Sequence, residues 1–305
     1  MDYVLLPRTG LKVSRIIQGC EQLGGTDWGE FRPGAVAAAV DRAWELGING
    51  FDVADAYGLG QAETMLAQCL GDRRKEAVII TKFGVNWRRA GAARAATFMD
   101  SSPARVREAL EGSLRRLRLD CIPLYLVHWP DPKTPVADTV GALLDCQRAG
   151  KIRHFGVSNY PPDWVRKACA AGPVAAVQGS FSLLERAARG GLLSACAELD
   201  LPFLAYGVLA QGLLTGKYDS SARFPASDRR SRLPQFQGEA WARTAGLLER
   251  VAAAARTHGR TIAQVAIRWA LDQPGVACAI VGARTAAQAE SNAMAAGWKL
   301  QPPLD

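Results

Sequence analysis

Eight short apolar runs, alternating with helical patterns, constrain this chain more than any other feature. They fall at 16–18, 50–54, 77–82, 121–128, 153–157, 174–178, 202–206 and 278–282. Each is too short for a helix and apolar on both faces, as strands of a helix-covered parallel sheet must be. Between them lie helix signals. Pro33 opens a helix with Val36, Val40 and Trp44 on one face, closed by Gly47. Ser101-Ser102-Pro103 caps another, in which Val106, Ala109, Leu110, Ser113, Leu114 and Leu117 recur at helical spacing. A polar loop to Asp100 precedes it, and Thr134-Pro135 and Pro161-Pro162 open two more helices. Eight β/α units in 305 residues predict an α/β fold, a (β/α)8 TIM barrel. Residues 3–6 and 11–13, around Pro7-Arg8-Thr9-Gly10, read as a β-hairpin closing its bottom. A doubly wound sheet is the alternative. No linker interrupts the chain, so a single domain over 1–305 is expected. The long irregular stretch 217–239 follows the seventh strand, where a lid or binding loop belongs.

Composition excludes several function classes. With 49% apolar and 22% charged residues the chain reads as soluble and globular. No window approaches the roughly 18 uninterrupted apolar residues of a membrane helix, and the N-terminus shows no signal-peptide pattern, so a cytoplasmic protein without a membrane partner is expected. Seven cysteines, odd in number and without C-x-x-C, read as reduced thiols. The net charge of +8 gathers in two arginine-rich runs, Trp87-Arg88-Arg89 through Arg94 and Arg223 through Arg232. Neither interleaves aromatics and glycines as a nucleic-acid platform does, and no nucleic acid is expected; basic loops also suit a phosphorylated ligand.

Barrel closure brings the strand ends round one mouth, and here those ends are polar: Asp52 with Tyr57 beyond it, Lys82, His128, Ser158 and Asn159, Gln178, Tyr206, Gly282 and Arg284. Taken alone, Asp52 and Tyr57 are equally a helix cap and a packed ring. Lys82 ends an apolar strand, where a lysine is costly unless paired or snorkelling to water. A salt bridge to Asp52 would satisfy it, and a cation beside Tyr57 would lower the phenol's pKa. His128 beside Tyr57 would orient a carbonyl oxygen. Such a set delivers a proton to a carbonyl becoming an alcohol, with the hydride left to a cofactor. No metal is implied, since His154 and His258 are isolated. No G-x-G-x-x-G follows a strand. Gly282-Ala283-Arg284-Thr285 before a helix forms an anion site instead, although Thr285 with Gln288 is also a plain capping box.

These residues resemble the aldo-keto reductase family along essentially the whole chain, near the bacterial branch related to the potassium-channel β-subunit-like reductases. The resemblance rests on GINGFDVADAYGLGQAE, IITKFG, SLRRLRLDCIPLYLVHWPDP, GKIRHFGVSNY, LAYGVLAQGLLTGKY and AIVGARTAAQAESN. It implies a metal-free barrel that binds NADPH and reduces aldehydes or ketones. It casts Tyr57 as general acid, Lys82 as its pKa-lowering neighbour, Asp52 as the partner of Lys82, and His128 as the group orienting the carbonyl. Ser158, Asn159 and Gln178 would hold the nicotinamide carboxamide, with Tyr206 stacked on the ring. Gly19, Asp52, Gly207, Leu209, Gln211, Lys217 and Gly282 would also face the cofactor, Leu209 and Lys217 at the pyrophosphate. Arg284, Gln288 and Asn292 would hold the adenosine end, Arg284 taking the 2′-phosphate. Glu21, Trp28, Trp87 and Trp129 are the substrate-pocket candidates, the tryptophans serving an apolar or sugar-stacking pocket or merely packing the loops.

Some positions depart from the family pattern. Gly207-Val208 stands where Ser-Pro is usual, and Ser291 where an adenine-binding Glu is usual. Glu21 stands where an aromatic or small residue is commoner; as a rim carboxylate it suits a cationic substrate or is simply solvated. The chain stops at Pro302-Pro303-Leu304-Asp305, which predicts an open pocket. The expected function is NADPH-dependent reduction of a small-molecule carbonyl, sugar and secondary-metabolite intermediates included, or the reverse. The alternatives are an NADPH-binding sensor or regulatory subunit with slow turnover, and a barrel enzyme without nicotinamide. No residue names the substrate or the oligomeric state.

Overall fold

The computed structural model describes residues 1–26, 28–88, 96–219, 222–226, 228–236 and 238–304. An antiparallel hairpin opens the chain, β1 (Tyr3–Leu5) with β2 (Lys12–Ser14). Three strands follow, β3 (Ile16–Gly19), β4 (Gly50–Asp52) and β5 (Val78–Phe83), then a second hairpin, β6 (Val85–Arg88) with β7 (Ala96–Met99). The remaining strands are β8 (Ile122–Val127), β9 (Ile152–Ser158), β10 (Val177–Ser180), β11 (Phe203–Tyr206) and β12 (Val276–Gly282). Strands β3, β4, β5, β8, β9, β10, β11 and β12 pair in parallel in that order, and β12 pairs back onto β3. The closed parallel barrel is therefore present, and the doubly wound alternative is excluded.

The helices are the crossovers that parallel pairing requires. They are α1 (Pro33–Glu45), α2 (Gln61–Leu70), α3 (Pro103–Leu117), α4 (Val136–Arg148), α5 (Pro162–Ala171) and α6 (Leu192–Glu198), then α7 (Gly238–Thr257), α8 (Ile262–Leu271) and α9 (Ala286–Ala293). Ser102 caps α3 as expected, its hydroxyl accepting from the Arg105 N–H at 3.4 Å. A reciprocal capping box starts α8, between Thr261 and Gln264. Among the described residues no helix is long and apolar enough to cross a membrane.

Two apolar clusters sandwich the sheet. The larger lies between strands and helices. The smaller fills the barrel: Ile17, Val78, Ile80, Leu124, Leu126, Ala176, Leu204, Cys278 and Ile280 point inward, joined by Leu6, Leu11 and Val13 of the first hairpin. That hairpin thus closes the bottom of the barrel. Since successive strand residues face opposite sides, the next inward positions are Gly19, Asp52, Lys82, His128, Gln178, Tyr206 and Gly282. The polar set is the topmost layer of the barrel filling.

Strand limits shift by one or two residues from the sequence reading, and three differences go beyond that or bear on the site. The run at 174–178 becomes a strand only from Val177, as β10, although the Ala175 N–H already reaches Phe155 O at 2.8 Å; Val174 and Ala175 are both buried. Strand β4 ends at Asp52, although the Val53 N–H still reaches Ile80 O at 2.8 Å. The expected polar loop before Asp100 carries β6 and β7, and the run from Arg89 to Arg94 lies outside the described residues. Asp27 does so too.

Tyr57 sits on a turn whose backbone lies against the 3₁₀ turn Glu21–Gly24 after β3. Gly58 has φ of 57°, and a Cβ there would stand 2.3 Å from Gly24 O. The contact is backbone to backbone, so neither side can yield by a rotamer change. Gly58→Ala is expected to lower stability by about 2 kcal/mol and to reduce activity by displacing Tyr57. The measurement is a urea midpoint with unchanged m-value; wild-type stability in this variant would show that the turn tolerates the methyl group.

Candidate active site

The topmost barrel layer is joined by one hydrogen-bond chain that links the ends of β4, β5, β9, β10 and β11 and reaches the His128 carbonyl after β8. Lys82 Nζ donates to Asp52 Oδ1 at 2.6 Å and to Val53 O at 2.9 Å. Asp52 Oδ2 accepts from Gln178 Nε2 at 2.7 Å, and Ser158 Oγ donates to Gln178 Oε1 at 3.3 Å. Asn159 Nδ2 donates to Ser158 Oγ at 3.1 Å and to His128 O at 2.9 Å, while Tyr206 OH donates to Asn159 Oδ1 at 2.8 Å. Lys82, only 1% exposed, is thus paired rather than snorkelling.

Tyr57 and His128 meet edge to face, their ring centroids 5.7 Å apart. Lys82 Nζ lies 5.2 Å from the Tyr57 ring centroid. The expected lowering of the phenol's pKa is nevertheless absent. Burial holds the Tyr57 hydroxyl well above the usual phenol range, and the charges of Glu21 and Asp52 push the same way, with Arg229 opposing. The Lys82 ammonium is bound directly to the Asp52 carboxylate, so the phenol feels a compensated pair instead of a lone cation. Burial, with Lys82 second, holds His128 well below the usual imidazole range. Its ring is therefore neutral, and Nδ1 is buried without a partner.

These groups line one cavity of about 800 Å³, which runs from Tyr57, His128 and Trp129 past Tyr206 to Arg284 and Asn292. Its wall includes Gly19, Glu21, Trp28, Asp52, Ser158, Asn159, Gln178, Gly207, Leu209, Gln211, Lys217, Gly282 and Gln288. Lys82 stands behind Asp52 and does not reach the surface of the cavity. Trp87 does not line it: Val85 does, at the foot of the hairpin, while Trp87 two residues on lies over the Arg105 guanidinium at 5.6 Å. Gln288 is not a reciprocal capping residue, because its Oε1 accepts from the Arg284 N–H at 2.8 Å, outside the helix cap. The Arg284 guanidinium reaches Glu30 O. Glu21 is not simply solvated: its Oε1 accepts from Arg229 Nη1 at 2.6 Å.

Sequence reading missed Gln22, Tyr218, Arg229 and Arg230 on the same wall. The two arginines belong to the basic run read above as fit for a phosphorylated ligand. Arg230 is clasped by Asp228, with Nε to Oδ1 at 2.9 Å and Nη2 to Oδ2 at 2.5 Å, and donates to Tyr218 OH at 2.6 Å. Asp228 also forms a β-bridge with Trp28. The stretch 217–239 is thereby tied to the loop after β3 across the mouth of the barrel.

The donor set suits a dinucleotide. Lys217 and Arg284 give the long cavity cations for phosphates. Between them, Gly19 and Gly282 bring two strand backbones close together, a Cβ on Gly19 coming within 3.2 Å of Gly282 N, and the Gln22 side chain lies over Gly282. Among the described residues no cluster of His, Cys, Asp and Glu could hold a metal.

Comparison with known proteins gives a consistent picture. A family model described as "Aldo/keto reductase family" matches residues 15–302. Aldo-keto reductase YhdN of Bacillus subtilis is 33% identical over 98% of this chain and 90% of its own length. Aldo-keto reductase yakc [NADP(+)] of Schizosaccharomyces pombe is 33% identical over 84% of this chain and 76% of its own. Among solved structures, the glycerol dehydrogenase AKR11B4 of Gluconobacter oxydans superposes with a TM-score of 0.91 at 34% identity, covering 98% of this chain and 91% of that one.

Beneath the Tyr57 turn lies a second charged cluster. Asp55 is fully buried, with Oδ2 3.3 Å from Arg105 Nη2 and Oδ1 without a partner. Nearby Glu63 accepts from Thr81 Oγ1 at 2.6 Å and from Arg116 Nε at 2.7 Å. Burial first, then the Glu63 charge, push Asp55 up to about 8, outweighing the opposing charges of Arg105 and Arg116 and a backbone hydrogen bond from Ala56. Between about pH 4 and 8 the folded protein therefore holds a proton that the unfolded chain has lost, and stability falls as pH rises through that window. Asp55→Asn, which mimics the protonated acid, is expected to remove this decline, about 4 kcal/mol between about pH 5 and 8. Urea midpoints from about pH 5 to 8.5 are the check; identical slopes in the two proteins would contradict a protonated Asp55.

Proposed function

The chain belongs to the aldo-keto reductase family, and from that premise we propose that it is an NADPH-dependent oxidoreductase interconverting small neutral aldehydes or ketones and their alcohols. Edge-to-face placement of Tyr57 and His128 over the Asp52–Lys82 pair, at one end of a long cation-walled cavity, carries this reading. The relative named for NADP(+) and the neighbour named a glycerol dehydrogenase support the cofactor and a hydroxylated substrate class.

When bound, NADPH supplies the hydride. Ser158, Asn159 and Gln178 would hold its carboxamide and Tyr206 would pack on its ring. Lys217 would face the pyrophosphate and Arg284, with Gln288 and Asn292, the adenosine end. The protein's own part is to hold the carbonyl and give it a proton. His128 is neutral, and a buried bare lone pair is cheaper than a buried orphan N–H. The ring proton therefore belongs on Nε2, which donates to the carbonyl oxygen. Tyr57 then gives its proton to that oxygen as it becomes an alkoxide. A phenol with a raised pKa stays protonated through neutral pH, so the donor form is always present for reduction. Oxidation needs the phenolate and is expected to accelerate as pH rises.

Tyr57→Phe is expected to lower reduction by about 10²–10⁴ while NADPH binding, followed by fluorescence titration, changes little. In the wild type, reduction should stay flat from neutral pH to about 10 while oxidation climbs with pH; a reduction rate that falls from neutral pH upward would argue against Tyr57 as the acid. Arg284→Ala is expected to raise KM for NADPH about tenfold or more and to leave KM for NADH nearly unchanged. Equal changes in both would remove the 2′-phosphate from this residue.

A further inference from the structure

We propose that the Glu21–Arg229 ion pair selects the substrate, presenting a charge-balanced wall that accepts neutral hydroxylated carbonyls and turns away carboxylates. The inference rests on the proposed carbonyl chemistry and specifies what the site admits. Glu21 opens the 3₁₀ turn after β3, and Arg229 opens the 3₁₀ turn Arg229–Arg232 in the loop after β11. Their 2.6 Å contact joins the two loops across the mouth, and both side chains line the cavity that holds Tyr57 and His128.

Arg229 is held in place from both sides. The preceding Asp228 is bridged to Trp28, the following Arg230 is clasped by Asp228, and the Arg229 guanidinium lies over the Trp28 ring at 5.5 Å. The backbone on either side of Arg229 is thus tied down, and its guanidinium rests on the Trp28 ring beside Glu21. As a stability device the pair is weak, since each side chain is about one-third exposed and such pairs contribute little. Its location gives it another use. Glu21 cancels Arg229 where a substrate's distal groups would lie, leaving a donor and an acceptor side by side, which suits hydroxyl groups. Without the Glu21 charge, the fixed Arg229 becomes a binding site for a carboxylate.

Both charges also act on the Tyr57 phenol, Glu21 raising its pKa and Arg229 lowering it. The other polar or charged neighbours facing that ring are Asp52, Lys82, His128 and Tyr206, and none of them is altered by changing the pair. Glu21→Gln should therefore move the pH-dependent rise of alcohol oxidation to lower pH, and Arg229→Gln should move it to higher pH.

The test is steady-state reduction by NADPH of 4-oxobutanoate against 4-hydroxybutanal, which has a hydroxyl in place of the carboxylate. Wild type should prefer the hydroxyaldehyde. Glu21→Gln should raise the relative kcat/KM for 4-oxobutanoate about tenfold, with the shifted oxidation profile, and Glu21→Gln with Arg229→Gln should cancel both changes. An unchanged ratio and profile in Glu21→Gln, with hydroxyaldehyde reduction retained, would overturn the selective role alone. A wild type preferring the carboxylate would do the same. A wild type that reduces neither aldehyde would overturn the carbonyl-reductase reading and this inference together.

Discussion

The mouth of the barrel depends on the Asp52 carboxylate. Both of its oxygens are committed, one to the Lys82 ammonium and one to the Gln178 amide. An ammonium this deeply buried is tolerable only beside such a partner, and losing one member of a buried pair costs about 3–5 kcal/mol because the other charge is stranded. The pair lets a polar layer rest directly on the apolar layer of Ile80 and Leu126 below it. It also anchors the chain of hydrogen bonds that runs through Ser158 and Asn159 to Tyr206, so five strand ends are held in mutual register by side chains as well as by the sheet.

The same pairing acts on the Tyr57 phenol. A lone ammonium next to Tyr57 would favour the phenolate, but the carboxylate bound to it cancels that effect, and burial then dominates. A neutral phenol is what a carbonyl reduction needs, since a nascent alkoxide is far more basic than a phenolate and takes the proton without help. The Glu21–Arg229 pair repeats the arrangement at the rim. In both places a cation is held beside a carboxylate that limits its reach.

Much of this was legible in the chain. The eight apolar runs located the barrel strands, and the residues ending them located the site, because inward and outward positions alternate along an extended strand whatever its surroundings. What escaped had identifiable causes. Val174 and Ala175 are as apolar as a strand because they are the buried lead-in to one. The hairpin at Val85–Arg88 lacked the turn signature that would have marked it, and Trp87 turns to Arg105, a partner invisible to local pattern. The family motifs identified Arg284 and Asn292 at the far end of the cavity but not Arg229 or Arg230, which lie in the irregular stretch after β11.

By itself, then, the sequence determined the fold and the identity of the groups at each strand end, because side-chain alternation and helix capping are properties of a few neighbouring residues. Only the tertiary structure decided how the charges combine. Glu21 and Arg229 are 208 residues apart along the chain and 2.6 Å apart in space. Lys82 proved compensated, Asp55 protonated and Tyr57 raised rather than lowered, because electrostatic energy follows through-space distance and burial, which barrel closure sets and sequence separation does not record.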